Sequence, residues 1–338
     1  MATATVVICA YTLERWDALS AAVSSCLSQT RPPEELVVVI DYNDELLDRA
    51  SRELTGAVVV PNLSTKGLSG ARNTGVAKAS GDVIAFLDDD AFADPTWLDQ
   101  LLAPLDDEGV AGAGGWIVPE WETSPAAWFP ETYYWILGCS YAGLPQSGAT
   151  LRNPIGASMA IRRRVFDTVG GFTSGIGRIG KVPLGCEETE LCIRYTAARP
   201  TERFVLTRDA IVHHLVPSSR LTWHYFWTRC WAEGLSKAAV SSLVGSRSGL
   251  ASERQHLLES LPREIASSAL ALRTTPRIAL TKIALILVGT VIAAAGLARG
   301  HVAVWRAPIT RGGGAVDLDA SNKGECGGSC TCAAPGAN

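Results

Sequence analysis

The sequence carries little net charge and lacks the short motifs of two common nucleotide-binding folds. Its 338 residues include 34 acidic and 30 basic side chains, so the formal net charge is −4 at pH 7. A charge this small provides no general electrostatic attraction to nucleic acid. A glycine-rich stretch at residues 65–75 has neither the lysine and spacing of a P-loop nor the fingerprint of a dinucleotide-binding fold. The sequence therefore has no general charge signal for nucleic-acid binding, no P-loop and no dinucleotide-binding fingerprint.

Signals for secretion and for zinc binding are also scarce. The first residues lead directly into a predicted strand at residues 6–8, so we expect no secretory signal peptide. The nine cysteines are irregularly spaced, which fits a reducing cytoplasmic setting better than a disulfide framework. Cys326, Cys330 and Cys332 have no fourth ligand nearby, so we do not expect a zinc site. The glycine- and alanine-rich tail, residues 312–338, is predicted to be disordered.

Short apolar runs alternate with helical patterns through the N-terminal part of the chain. With 47% hydrophobic residues, the chain can bury a large core. The alternation predicts an α/β fold in which a mostly parallel central sheet is flanked by helices. Ligands bind such sheets beyond the carboxyl ends of the strands, and Asp41 lies at one such end. The runs predicted to be strands are residues 5–10, 35–41, 57–60 and 83–87.

Three consecutive aspartates, Asp88, Asp89 and Asp90, follow the last of these strands. Their mutual repulsion and desolvation oppose folding, so we expect positive charge beside them. A Mg²⁺ or Mn²⁺ ion that carries a phosphorylated ligand would supply it, because both ions prefer carboxylate and water oxygens. The alternative is a solvated acidic turn before a helix that begins near Pro95.

These features together resemble family 2 of the inverting glycosyltransferases, whose members have the Rossmann-like GT-A fold. The resemblance covers roughly residues 5–235. It rests on Asp41 after the second predicted strand, on Gly-Leu-Ser-Gly-Ala-Arg-Asn-Thr-Gly at residues 67–75 and on Gly-Asp-Val-Ile-Ala-Phe-Leu-Asp-Asp-Asp at residues 81–90. It implies a metal-dependent hexosyltransferase that moves a sugar from a nucleotide-diphosphate sugar to an acceptor, with inversion in one displacement.

The resemblance also implies which residues hold the donor and a Mg²⁺ or Mn²⁺ ion. Asp90 is expected to be the chief metal ligand and Asp88 a second one. His214, which follows a later strand, is expected to contact the metal or the diphosphate, with a purely structural role as the alternative. The usual proline before the aromatic residue of the first turn is Ala10 here. The residues expected to bind the nucleotide sugar are Ala10, Tyr11, Thr12, Glu14, Asp41, Arg72, Asp88, Asp89, Gly156 and Ala157.

An acidic pair, Glu187 and Glu188, is predicted to begin a helix. The segment resembles the family motif Gly-Glu-Asp-x-Asp/Glu-Leu, in which the second acid is the general base. Cys186 replaces the glycine and Glu188 replaces the aspartate. We prefer Glu188 as the base, with Glu187 second. The alternative is an ordinary acidic helix start, which the helix dipole stabilises. If the acceptor were an ionised lipid phosphate, a base would matter less.

Residues 114–138 contain four of the ten tryptophans and three prolines. Because proline disrupts helices and central strands, we expect little regular structure there. Aromatic side chains can stack on sugar rings or anchor at membrane interfaces, so we interpret the segment as a loop on the acceptor side. An aromatic-rich packing loop is the alternative.

The C-terminal third of the chain has two patterns that fit membrane attachment. Apolar residues recur at helical spacing between residues 257 and 272, which predicts an amphipathic helix. Residues 278–298 are apolar except for Lys282 and two threonines, and a membrane-spanning helix needs about 20 such residues. Flanking basic residues lie on both sides, so they predict no orientation. Membrane attachment is our interpretation, and a buried core helix is the alternative.

These patterns divide the chain into a catalytic domain at residues 1–235, a helical region at 236–311 and the tail at 312–338. Residues 222–234 resemble a segment of actinobacterial and archaeal members that act on polyprenyl- or dolichyl-linked sugars. We therefore favour a lipid-linked saccharide or polyprenyl phosphate as acceptor, in cell-envelope glycan or glycoconjugate synthesis on the cytoplasmic side of the membrane. If the apolar helix is buried, the protein is expected to be cytoplasmic.

Other functions stay open at this point. One alternative is transfer to a soluble saccharide, peptide or natural product. A second, of another class, is a non-catalytic sugar-nucleotide-binding or membrane scaffold protein. A nucleotidyltransferase is disfavoured, because no glycine-rich, lysine-containing signature follows the first predicted strand. The nucleotide base and the transferred sugar do not follow from the residues.

Overall fold

A computed structural model describes residues 2–123, 127–177 and 184–306 of the chain. The tail predicted to be disordered lies outside these residues. The strands are β1 (Ala4–Ala10), β2 (Glu35–Ile40), β3 (Val58–Pro61), β4 (Val83–Asp88), β5 (Ala91–Ala93), β6 (Val110–Trp121), β7 (Thr150–Leu151), β8 (Ser158–Arg162) and β9 (Arg203–Val216). The helices are α1 (Trp16–Leu27), α2 (Asp44–Glu53), α3 (Leu68–Lys78), α4 (Trp97–Leu102), α5 (Arg163–Val169), α6 (Glu187–Ala198), α7 (Trp223–Val244), α8 (Ser246–Gly249), α9 (Ala251–Gln255), α10 (Leu261–Leu270) and α11 (Pro276–Arg306).

One mixed sheet joins the strands in the order β3-β2-β1-β4-β8-β6-β9-β5, with β7 paired to β9. The four strands from β3 to β4 are mutually parallel, and the long pairing of β6 with β9 is also parallel. Antiparallel pairings involve β8, β5 and β7. The predicted α/β fold with a mostly parallel sheet is therefore confirmed.

Helices cover both faces of the sheet, which explains why its first strands are apolar along their whole length. On one face, α1, α2 and α4 pack against alternate residues of the strands, such as Val6 and Ile8. On the other face, α3, α5 and α6 pack against the residues between them, such as Val7 and Phe86. Because both faces are buried, the carboxyl ends of the strands are the part of the sheet left open to ligands.

The expectation of little regular structure in the aromatic segment is wrong. Strand β6 continues through Trp116 and Pro119 to Trp121, and it pairs with β9 along this length. Proline is tolerated because, within the described residues, β8 pairs with β6 only at residues 112–114. Pro119 therefore lies where β6 has one partner strand, and no second ladder needs a backbone N–H at this position. Farther along, Glu131–Leu137 forms a 3₁₀ helix.

Much of this aromatic segment packs in a third apolar cluster with the C-terminal helices. Tyr133 contacts Phe226 of α7, with ring centroids 5.5 Å apart. Its hydroxyl donates to the Ile286 carbonyl of α11 at 3.0 Å. The alternative of a packing segment thus applies to Tyr133 and Trp135, and both side chains also line the cavity described below.

Helix α11 is long and apolar enough to cross a membrane, and it is the one such helix in residues 2–123, 127–177 and 184–306. One face packs against α7 and the aromatic cluster, where Leu285, Ile286 and Ile292 are buried. The opposite face leaves Leu280, Leu287 and other apolar side chains exposed. The two apolar faces of the helix therefore differ in their environment: one packs against protein, and the other contacts no protein within the described chain.

Glycines allow α7 and α11 to approach closely. A Cβ atom on Gly296 would lie 2.4 Å from the Trp231 carbonyl oxygen of α7. We expect Gly296→Val to destabilise the protein by about 1–3 kcal/mol, since overpacking forces the two backbones apart. Thermal unfolding in one detergent would measure this. The neighbouring Ala295 is exposed, so Ala295→Val is the matched control, and equal midpoints for both variants would contradict the close packing.

Candidate active site

A cavity of about 950 Å³ lies beyond the carboxyl ends of β1, β2 and β4. Such crevices are where ligands bind in open α/β sheets. The tertiary structure brings together here most of the residues nominated from the sequence. Those that line the cavity are Ala10, Tyr11, Asp41, Arg72, Asp88, Asp89, Asp90, Gly156, Ala157, Glu188 and His214.

Three nominated residues, Thr12, Glu14 and Glu187, are not part of the cavity lining. The Thr12 hydroxyl accepts a hydrogen bond from the Glu14 N–H at 3.3 Å and caps the 3₁₀ turn Leu13–Arg15. The Glu14 side chain is exposed. The same turn directs Arg15 into the cavity. Arg15 was not predicted as a site residue. The sequence pointed to it only indirectly, because positive charge was expected beside the three aspartates.

Asp41 is buried at the end of β2 and holds the glycine-rich segment in place. One carboxylate oxygen accepts from Asn62 Nδ2 at 2.7 Å, and the other accepts from the Gly67 N–H at 3.0 Å. Gly67 has φ = 114°, a left-handed conformation that glycine adopts without strain. The aspartate thus positions the start of α3 at the cavity wall while its own side chain lines the cavity.

Asp88, Asp90 and His214 form a group that is compatible with a divalent metal ion. One ligand atom from each lies within 4.8 Å of the other two. The pairing of β5 with β9 places Ala91 opposite His214, so His214 Nε2 lies 3.1 Å from Asp90 Oδ1. His214 Nδ1 and Asp89 Oδ2 are buried and have no hydrogen-bond partner among the described residues. Carboxylate oxygens and an imidazole nitrogen are suitable ligands for divalent ions.

Arginines supply the positive charge expected beside the three aspartates. Arg15 Nη1 lies 2.7 Å from Asp89 Oδ1 and 3.2 Å from Asp90 Oδ2. Arg220 Nη2 lies 2.8 Å from Asp90 Oδ2. Burial alone would raise the pKa of Asp90, but His214, Arg220 and Arg15 hold it well below its usual value. Burial and the charge of Asp90 raise the pKa of Asp89 to about 7, so Asp90 is the more fully ionised carboxylate.

Arg72 pairs with two protein carboxylates. Its guanidinium donates to Glu187 Oε1 at 2.7 Å and lies 3.5 Å from Asp88 Oδ1. Gly156 makes room for it, because a Cβ there would lie 2.4 Å from Arg72 Nη2. The glycine-rich segment is thereby linked to the end of β4 and to the start of α6.

The two acids at the start of α6 have different surroundings. Glu187 is buried against Arg72, whereas Glu188 lines the cavity. Burial, and next the charge of Glu187, raise the pKa of Glu188 to about 8, although Arg72 opposes the shift. Cys186 precedes them with φ = 75°, a conformation in which a non-glycine residue is strained. Glu188 is therefore the acid with the exposure and the pKa that a general base needs.

The chain matches the model of the glycosyl transferase family 2 over residues 5–170. The glucosyl-dolichyl phosphate glucuronosyltransferase of Haloferax volcanii is 34% identical to it over 242 residues, which cover 70% of this chain and 77% of that protein. The chain belongs to glycosyltransferase family 2. The predicted family and activity are thus confirmed: the protein is a glycosyltransferase that transfers a sugar from a nucleotide-sugar donor.

Other proteins resemble the chain over a shorter stretch or at lower sequence identity. The polypeptide N-acetylgalactosaminyltransferase 11 of Xenopus tropicalis is 35% identical over 114 residues, which cover 30% of this chain and 18% of that protein. A mannosyltransferase from Pyrobaculum calidifontis, solved with GDP-mannose and Mn²⁺, is 18% identical with a TM-score of 0.49, covering 91% of this chain and 76% of that one. Because related sheets support many different substrates, these likenesses do not identify the donor or the acceptor.

Proposed function

We propose that the protein transfers a hexose-type sugar from a nucleotide-diphosphate sugar to a lipid-linked acceptor at a membrane surface, with inversion at the anomeric carbon. One observation carries this proposal. The cavity that contains Asp90 and Glu188 continues to α11, where Thr290, Ala293 and Leu297 line it. A single cavity therefore joins the polar cluster at the strand ends to the apolar helix.

For the donor, we propose that Asp88, Asp90 and His214 hold Mn²⁺. The imidazole nitrogen favours Mn²⁺ over Mg²⁺, which is bound almost wholly by oxygen ligands. When bound, the ion would neutralise the charge that develops on the departing nucleotide diphosphate. Arg15 and Arg220 face the same carboxylates and carry guanidinium groups suited to phosphate oxygens. We assign them to the diphosphate of the donor.

For the acceptor, we propose that Glu188 accepts the proton of the attacking hydroxyl. A base must reach the reacting group and be deprotonated at the working pH. Glu188 lines the cavity, and its raised pKa of about 8 makes it a stronger base than an ordinary carboxylate. Glu187 is held by Arg72 and positions the start of α6 instead. Attack from the side opposite the leaving group would invert the configuration in one step.

A membrane surface is the proposed location of the acceptor. The outward face of α11 is apolar, and Trp223 and Trp227 of α7 are also exposed. Residues 265–303 contain no acidic side chain but include Arg273, Arg277, Lys282 and Arg299. A basic and apolar surface favours anionic lipid. We propose that α11 attaches along its outward face on the cytoplasmic side while its inward face stays on α7. The name of the Haloferax volcanii relative also refers to a dolichyl phosphate.

The test is sugar transfer by the detergent-purified protein with Mn²⁺ and a panel of UDP-, GDP- and dTDP-sugars. Each donor is offered with polyprenyl phosphate, with a polyprenyl-linked monosaccharide or with a free saccharide. We expect metal-dependent nucleotide release with one donor and label in the lipid fraction. Label in the free saccharide would refute the lipid acceptor. No turnover of any donor in any arm would refute catalysis and favour a scaffold role.

A further inference from the structure

Beyond Glu188, the cavity contains a second group of polar residues that no family motif marks. They come from the loop that follows the 3₁₀ helix Glu131–Leu137, from the residue after β7, from α7 and α9, and from the π turn His256–Ser260 that lies between α9 and α10. We call this group the far half of the cavity. Its defining residues are Tyr141, Arg152, Lys237, Glu253 and His256.

The charges of the far half are paired with each other. Arg152 binds Glu253 through two hydrogen bonds of 2.7 and 3.1 Å. Lys237 Nζ lies 2.8 Å from Glu253 and 3.1 Å from Glu233. Two cations thus face two carboxylates. These ion pairs are partly buried, and pairs of this kind contribute little net stability, so stability alone does not explain them. A balanced cluster offers donors and acceptors to a neutral polyol, whereas a phosphate would require surplus positive charge.

His256 is the residue that points to a ligand. Both ring nitrogens are buried, and neither has a hydrogen-bond partner among the residues described. Its ring meets Tyr141 edge-on, with centroids 5.5 Å apart. Burial lowers the pKa of His256, so the imidazole is neutral near pH 7 and offers one donor and one acceptor. A π turn, which is frequent at functional sites, carries this side chain to the cavity.

We propose that the far half of the cavity binds the sugar residue of the acceptor, so that the acceptor is a lipid-linked saccharide and not a bare lipid phosphate. The inference rests on the proposed function. The sugar hydroxyls would complete the hydrogen bonds of His256 and contact the ion pairs around Glu253. The sugar would then present one hydroxyl to Glu188. The lipid chain of the acceptor would extend out of the cavity along Thr290 and Leu297 of α11. The need for a base at Glu188 agrees with a hydroxyl acceptor.

The test compares His256→Ala with wild type for transfer to a polyprenyl-linked monosaccharide. Losing the hydrogen bonds of one neutral side chain is expected to raise the acceptor KM about tenfold. The affinity for the donor nucleotide with Mn²⁺, measured by calorimetry, should not change. His256→Asn, which retains a donor and an acceptor, should recover part of the loss. His224 is exposed on α7, so His224→Ala is the control and should behave as wild type.

A binding measurement that does not depend on catalysis tests the sugar subsite separately from the transfer reaction. Saturation-transfer NMR is recorded for octyl glucoside and for octyl phosphate, each with Mn²⁺ and the donor nucleotide. We expect His256→Ala to reduce the octyl glucoside signal only.

An unchanged acceptor KM in an active His256→Ala enzyme would overturn the subsite and leave the proposed function intact. A parallel loss of unfolding temperature and nucleotide affinity would show a structural role and would also overturn it. If wild type turns over no donor, the proposed function itself fails.

Discussion

Asp90→Asn is expected to lower kcat/KM for sugar transfer by about 10³-fold, the size of effect that several kcal/mol of lost metal-ion stabilisation produces. The substitution keeps the shape of the side chain but removes the charge on which Arg15, Arg220 and His214 converge. Without that charge, the proposed metal group loses its more fully ionised carboxylate. Nucleotide release across a Mn²⁺ titration, together with calorimetric Mn²⁺ binding, measures the effect.

The control for this variant lies four residues away. Asp94 pairs with His213 at 3.0 Å, has a side chain that is 38% exposed and does not line the cavity. Asp94→Asn should therefore retain the activity and the Mn²⁺ affinity of the wild type. Full activity of Asp90→Asn at ordinary Mn²⁺ concentrations would remove Asp90 from the metal site. Similar losses in both variants would instead indicate damage to the segment between β4 and α4, which includes β5.

Glu188→Gln is expected to lower kcat for a hydroxyl acceptor by about 10²–10⁴-fold, the usual contribution of a positioned general base. The amide has nearly the same shape but cannot accept a proton, so nucleotide affinity should persist. Rates with a saturating lipid-linked saccharide measure kcat, and calorimetry measures the affinity for the nucleotide. An active Glu188→Gln enzyme would assign the base elsewhere.

The dependence of the rate on pH gives an independent check of Glu188. Its carboxyl has a pKa of about 8, and only the deprotonated form can act as a base. The rate with a hydroxyl acceptor should therefore fall about tenfold per pH unit below that value and level off above it. Glu188→Gln should remove this dependence. A flat profile in the wild type would argue for an acceptor that is already ionised, such as a lipid phosphate.

Glu187→Gln distinguishes the two acids. Glu187 and Arg72 are both buried, and their side chains are 2.7 Å apart. Removing one partner of a buried ion pair costs about 3 kcal/mol or more, so this variant should unfold at a lower temperature, whereas Glu188→Gln should not. If Glu187→Gln were stable but inactive, and Glu188→Gln active, the preference between the two acids would be reversed.

The family resemblance was carried by short, contiguous segments, and such segments could be found without a structure. The apolar run of β4 followed by the aspartates is one example, because burial on both faces of a sheet leaves a local pattern in the chain. The aromatic segment shows where this approach fails. Three prolines indicated irregular structure, but among the described strands β6 has one neighbour at Pro119, and that pairing is a property of the assembled sheet.

The fold class, the family, the acidic residues at the strand ends and the apolar C-terminal helix could be predicted without a structure, because each of these is encoded by residues close together in the chain. The folded structure was needed to show which of Glu187 and Glu188 faces the cavity, since Arg72 engages the other from 115 residues away. It also decided that Arg15 and Arg220 oppose the aspartates and that His256 reaches the same cavity. Contacts of this kind depend on strand register and helix packing, which bring distant residues together. They therefore leave no recognisable pattern of spacing in the sequence.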